Sequence, residues 1–249
     1  MAQTLADQID SLMDRASAAL VAMRYFDAER DALKALSLAH RALDFERMSR
    51  ITLPLQEARR QKAQLALDAG AVTVIDDPYS RIDSPGLYLV QPPCIAIEAR
   101  NMVYDADHRK IPVHVLTREP MTSVGKWPIV AVNGEVSVRV QMSPPWPLER
   151  VQDSPTRDRA PGPPDPAWFL AAAEALGDAA IAQVNPDDHP HFKVDDLLEF
   201  LDCLPIHEKL HQALADACRA AADAPPPKTT RRASRLAYGK WKRIGGDED

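Results

Sequence analysis

The sequence predicts a mixed α+β / α/β chain, with an N-terminal helical bundle, a small central βαβ-plus-hairpin sheet and a C-terminal helical module. Three observations carry that expectation. Alanine and leucine recur at helical spacing over residues 3–22 and 25–43, the β-branched runs gather between Gly86 and Met142, and prolines crowd residues 143–166. The expected division is a helical hairpin or bundle over 1–70, a central α/β unit over 71–142, a proline-rich linker over 143–166, a helical module over 167–223 and a disordered basic tail over 224–249.

The first two helices should form an antiparallel pair, because Arg24-Tyr25-Phe26-Asp27 interrupts the apolar spacing where the chain would turn. A third helix is expected from about Pro54 to Ala69, ending at Gly70, a suitable C-cap residue. Val72-Thr73-Val74-Ile75 offers a further strand for the central sheet. Within the helix pair, Leu12, Ala16, Ala19, Tyr25, Ala28, Ala32, Ala35 and Leu36 resemble a single tetratricopeptide-like unit over residues 12–40. The resemblance implies two helices drawn close by small residues. It departs from the family pattern at Leu12, Ala16 and His40, where an aromatic, a glycine and a proline are usual, and no second copy follows at the family's repeat length.

In the central stretch, Leu87-Tyr88-Leu89-Val90 is bounded by Pro85-Gly86 and Pro92-Pro93, the punctuation of a buried strand. Ile95, Ala99, Met102, Val103 and Ala106 then fall on one helical face, and Ile111 to Leu116 returns to a strand pattern. A strand, helix, strand order most simply joins parallel neighbours. Ile129–Val132 and Glu135–Val140 flank Asn133-Gly134, a dipeptide that tolerates the positive φ of a tight hairpin. After the proline-rich segment, Asp165 and Pro166 are placed to cap and start a helix running to about Val184, and two more helices are expected near 194–203 and 205–222.

Composition narrows the function classes. The formal charge is −6, yet Lys228, Arg231, Arg232, Arg235, Lys240, Lys242 and Arg243 all lie in the tail, so the body is acidic and unsuited to a broad nucleic-acid face. Cys94, Cys203 and Cys218 have no C-x-x-C spacing, which is the pattern of reduced thiols in a cytoplasmic protein. No apolar run long enough to span a membrane and no basic, apolar leader is present, so neither a membrane span nor export is expected.

Chemistry has three candidate places. His207-Glu208-Lys209-Leu210-His211 satisfies H-E-x-x-H on an expected helix, where His207 and His211 could hold Zn²⁺ and Glu208 could take a proton from metal-bound water. The string resembles the zincin metallopeptidases, although Pro205 puts it in the first helical turn and no third ligand follows downstream. A second place is the edge where parallel strands would end, carrying Cys94, Arg118, Glu119, Ser123 and Lys126, with Cys94 near a helix start that would favour its thiolate. A third is the tail, where Arg231, Arg232, Arg235, Lys240, Lys242 and Arg243 could neutralise phosphates while Trp241 stacks on bases.

The leading expectation is a non-enzymatic cytoplasmic interaction or scaffold protein with a protein partner and no cofactor. A zinc-dependent hydrolase and a nucleic-acid tether are the alternatives.

Overall fold

The computed structural model describes residues 4–134, 136–146 and 162–227. Among them are seven helices and a five-stranded sheet, the α+β mixture that the sequence pattern predicts. In chain order these are α1 (Leu5–Val21), α2 (Tyr25–Arg41), α3 (Phe45–Leu67), β1 (Val72–Ile75), β2 (Gly86–Val90), α4 (Ala96–His108), β3 (Val113–Arg118), β4 (Trp127–Asn133), β5 (Val136–Met142), α5 (Pro166–Ala182), α6 (Pro190–Cys203) and α7 (Glu208–Asp223). No described helix is long and apolar enough to cross a membrane.

The chain divides into two compact units, and the division does not follow sequence order. Among the described residues, one lies within the bounds Met1–Arg60, Gln183–Leu201 and Glu208–Asp249, and the other within Gln61–Ala182 and Asp202–His207. Helix α5 belongs with the sheet, whereas α7 and nearly all of α6 belong with the N-terminal helices. Composition marks where a chain is not packed, but which apolar faces cover one another is settled by topology.

In the first unit, Thr4 and Asp7 close a capping box at the start of α1: the Asp7 amide donates to Thr4 Oγ1 and the Thr4 amide donates to Asp7 Oδ2, both at 3.1 Å. The seam of the helix pair is alanine-rich, with Ala16, Ala28, Ala32, Ala35 and Ala39 fully buried. Small side chains let the two backbones approach closely. The two interhelical turns are built alike. The amides of Met23 and Arg24 donate to the carbonyls of Leu20 and Ala19, and those of Leu43 and Asp44 donate to His40 and Ala39. This is the Schellman pattern, and its left-handed position is held by Met23 (φ 56°) and Leu43 (φ 55°) instead of glycine. Helix α3 begins at Phe45, well before the expected start, and runs through Pro54. The Asp44 carboxylate accepts from the Arg47 amide at 3.0 Å, so the cap lies there and the proline is accommodated in the interior.

In the second unit the sheet order is β1-β2-β3-β4-β5. Strands β1, β2 and β3 are mutually parallel, and β4 and β5 continue antiparallel. Strand β3 starts at Val113, just after Pro112, and Gly134 (φ 57°) supplies the positive φ at the β4–β5 turn. Strand β2 is buried along its whole length, and register shows why. Tyr88 pairs with Val115, and both pack with Ala99, Met102 and Ala106 of α4. Leu87 pairs with His114 and so faces the other side, where the His114 ring meets Phe169 of α5 edge-on at 5.0 Å. Helices α4 and α5 therefore cover opposite faces. Asp165 caps α5 as expected, accepting from the Trp168 amide at 2.8 Å.

Candidate functional site

The parallel pairing of β2 and β3 brings Gln91 and Arg118 to the same edge of the sheet. Arg118 is the last residue of β3 and is only 1 % exposed. Its Nε and Nη2 donate to Gln91 Oε1 at 3.2 and 2.8 Å, and Nη1 donates to the Glu119 carbonyl at 3.3 Å. The guanidinium also lies over the Trp127 ring, 4.3 Å from its centroid. Trp127 is fully buried and meets Trp146 and Trp168 edge-on at 5.6 and 5.8 Å, while Trp168 Nε1 donates to the Ser143 carbonyl at 2.9 Å. Residues 143–146, expected to be linker, thus lie against this aromatic cluster.

The remaining members of that edge are spread over separate contacts. Glu119 accepts from Arg139 at 2.6 Å, and Lys126 Nζ donates to Ser143 Oγ at 2.7 Å. Ser123 is exposed on the turn that Thr122 closes through its hydroxyl and amide. Cys94 is buried, and burial pushes its thiol pKa up, with Glu98, Asp77 and Asp76 acting in the same direction. Desolvation and the nearby carboxylates thus disfavour a thiolate at this position. A neighbouring groove of about 420 Å³ is lined by Tyr79, Arg81, Ile82, Glu98, Asn101 and Asp105.

The H-E-x-x-H string does not lie on one helix. Helix α7 starts at Glu208, so His207 precedes it while His211 is inside it. Leu204–Ile206 form the turn that delivers His207, whose amide donates to the Leu204 carbonyl at 3.3 Å. The two imidazoles have different neighbours. Arg59 Nη1 is 3.4 Å from His211 Nε2, and a guanidinium has no acceptor, so that nitrogen's lone pair receives the bond. Arg59 itself is buried and donates to Glu29 at 2.7 Å. Glu208 is exposed at the start of α7. His189 and His191 stack edge-on at 4.9 Å, and His191 lies 4.5 Å from Phe45 and 3.2 Å from the Ala221 carbonyl.

His207 stands among residues that the sequence pattern did not single out. Its Nε2 lies 3.3 Å from Glu174 Oε2 and 3.8 Å from Asp178 Oδ1. The two carboxylates are one turn apart on α5, with Gly177 between them. The imidazole lies directly over that glycine: a Cβ there would be 2.1 Å from the ring. One available signal was the glycine itself, since a glycine inside a helical pattern marks a close approach. The residues of the basic tail, Arg231, Arg232, Arg235, Lys240, Trp241, Lys242 and Arg243, lie outside the described residues.

Comparison with protein-family models, curated proteins and solved structures finds no match to this chain.

Proposed function

We propose that the protein is a non-enzymatic interaction or scaffold protein of the cytoplasm, and that the interhelical turns of its N-terminal helices contact a protein partner. One observation carries this reading. Met23 and Leu43 each occupy a left-handed backbone position that glycine fills at lower cost, and each leaves a large apolar side chain exposed, by 73 % and 62 %. A left-handed β-carbon costs about 1–2 kcal/mol, and an exposed apolar side chain returns little of it. Two local rules broken together, twice in one unit, are what a contact surface would leave in the free protein. Val21, 88 % exposed, extends the apolar surface at the Met23 end of α2, and Leu43 stands at the other end.

The test is direct binding. A partner captured by the immobilised full-length chain is titrated against the wild type and the Met23→Gly and Leu43→Gly variants. Glycine fits both turns, so the variants keep the fold; the reading requires at least one to weaken binding about tenfold or more. Equal affinity across all three proteins overturns it.

The zinc-hydrolase alternative through His207, Glu208 and His211 is less well supported, because Arg59 occupies the acceptor nitrogen of His211. A nucleic-acid tether through the tail remains an alternative, to be tested by the salt dependence of binding before and after truncation at Pro227.

A further inference from the structure

We propose that Glu174, Asp178 and His207 form a binding site for a divalent transition-metal ion of the zinc type. The inference is independent of the scaffold reading, since all three residues belong to the second compact unit. Their candidate ligand atoms all lie within 4.8 Å of one another, and the imidazole nitrogen is 3.3 and 3.8 Å from the two carboxylate oxygens. Zinc bonds to nitrogen and carboxylate oxygen are about 2.0–2.2 Å, so neighbouring tetrahedral ligands stand roughly 3.3–3.6 Å apart. The two imidazole–carboxylate separations lie at or close to that spacing.

The cluster is more than two acids on a helix. The His207 side chain is only 5 % exposed, and its Nε2 lies within 4 Å of an oxygen of each carboxylate. Gly177 makes this possible, because any side chain at that position would occupy the space of the ring. The imidazole is thereby positioned by the backbone of the same helix that carries both acids. Helical geometry does the rest, since positions four apart project from one face.

Donor chemistry selects the ion. A neutral imidazole with two carboxylates supplies one borderline nitrogen and two hard oxygens, a set suited to Zn²⁺ and its first-row neighbours, whereas Ca²⁺ and Mg²⁺ favour oxygen-only shells. The two carboxylates neutralise the ion's charge. Both are half exposed, so water can complete the coordination, as in zinc sites that have three protein ligands.

The experiment is a Zn²⁺ titration of the full-length, chelator-treated protein by calorimetry at neutral pH, with the wild type and three variants. Glu174→Gln/Asp178→Asn keeps the side-chain shapes and removes both charges; His207→Gln removes the nitrogen; His189→Asn is the control. The tightest equivalent should weaken about 100-fold or more, or vanish, in the first two and persist in the control. His207 ring resonances, assigned by their loss in His207→Gln, should shift with the same equivalent. The proposal is overturned by zinc binding that is unchanged in Glu174→Gln/Asp178→Asn. It is equally overturned by His207 resonances that stay in place through saturation, which would leave the cluster a simple imidazole–carboxylate ion pair. Urea denaturation of each variant, showing a folded baseline, secures the comparison.

Discussion

The His207 imidazole lies against the Cα of Gly177, so close that a β-carbon on residue 177 would stand 2.1 Å from the ring. Alanine in place of glycine in a helix interior ordinarily stabilises by about 1 kcal/mol. Here the sign should reverse. Gly177→Ala is expected to destabilise by about 1–3 kcal/mol in urea denaturation, because the ring must leave or the helix must shift. Removing the ring should relieve the strain, so Gly177→Ala/His207→Ala is expected to be less destabilised than the sum of the single variants. Strict additivity would refute the contact.

The turns at Met23 and Leu43 lead to the opposite kind of change. Glycine removes the left-handed penalty at each, although it also loosens the unfolded chain. A net gain of about 0.5–1 kcal/mol is expected for Met23→Gly and for Leu43→Gly, seen as a higher urea midpoint. Alanine should leave stability within about 0.5 kcal/mol, since it keeps the β-carbon.

His114 makes stability depend on pH. Burial beneath α5 lowers its pKa from 6.5 to about 4, so it is neutral in the folded state across the neutral range. The unfolded chain binds the proton first as pH falls. Stability contributed by the neutral ring is therefore present above pH 6.5, declines as pH falls toward about 4 and is lost below it. The shift corresponds to an effect on the order of 3 kcal/mol. Denaturation curves between pH 7 and 4 should show this decline, and His114→Leu should remove that component.

Glu29 and Arg59 form a buried pair, with side chains 12 % and 7 % exposed. Glu29→Gln keeps the shape but withdraws the charge from a buried guanidinium, and an expected loss of about 3–5 kcal/mol follows from stranding it. The double variant Glu29→Leu/Arg59→Met should be less destabilised than Glu29→Gln. Equilibrium unfolding of the three proteins checks the order.

The thiols should differ in reactivity. Cys94 and Cys218 are buried, and burial pushes the Cys218 pKa up to about 12, whereas Cys203 is half-buried. A thiol reagent at neutral pH is expected to label Cys203 first, with Cys94 and Cys218 reacting only on unfolding. Mass spectrometry of partially labelled protein reads the order.

Much of the architecture is legible in the residues. The Ala-rich spacing of 5–41 specifies two helices, the flanking prolines and glycine delimit β2, and Asp165-Pro166 marks a helix start. These signals are local, because each depends on a few neighbouring side chains and the period of the backbone. Pro54 misleads for the same reason: a proline locally suggests a helix start, but Asp44 provides the cap that sets the start of α3. The continuous apolar run of β2 also implies cover on both faces, as parallel strands have. It cannot say which helix supplies the second cover.

Tertiary structure alone decided the rest. Helix α5 takes the second sheet face instead of joining α6 and α7, since Phe169 packs on His114. The same placement separates the surroundings of two histidines that are four residues apart in sequence: one meets the carboxylates of α5 and the other meets Arg59. A motif records residue types at fixed spacing, and that spacing defines a shared face only if one helix carries it. Here the helix begins after His207, so the motif defines no shared face, and each histidine meets side chains far away in the chain, which only long-range packing could bring to it.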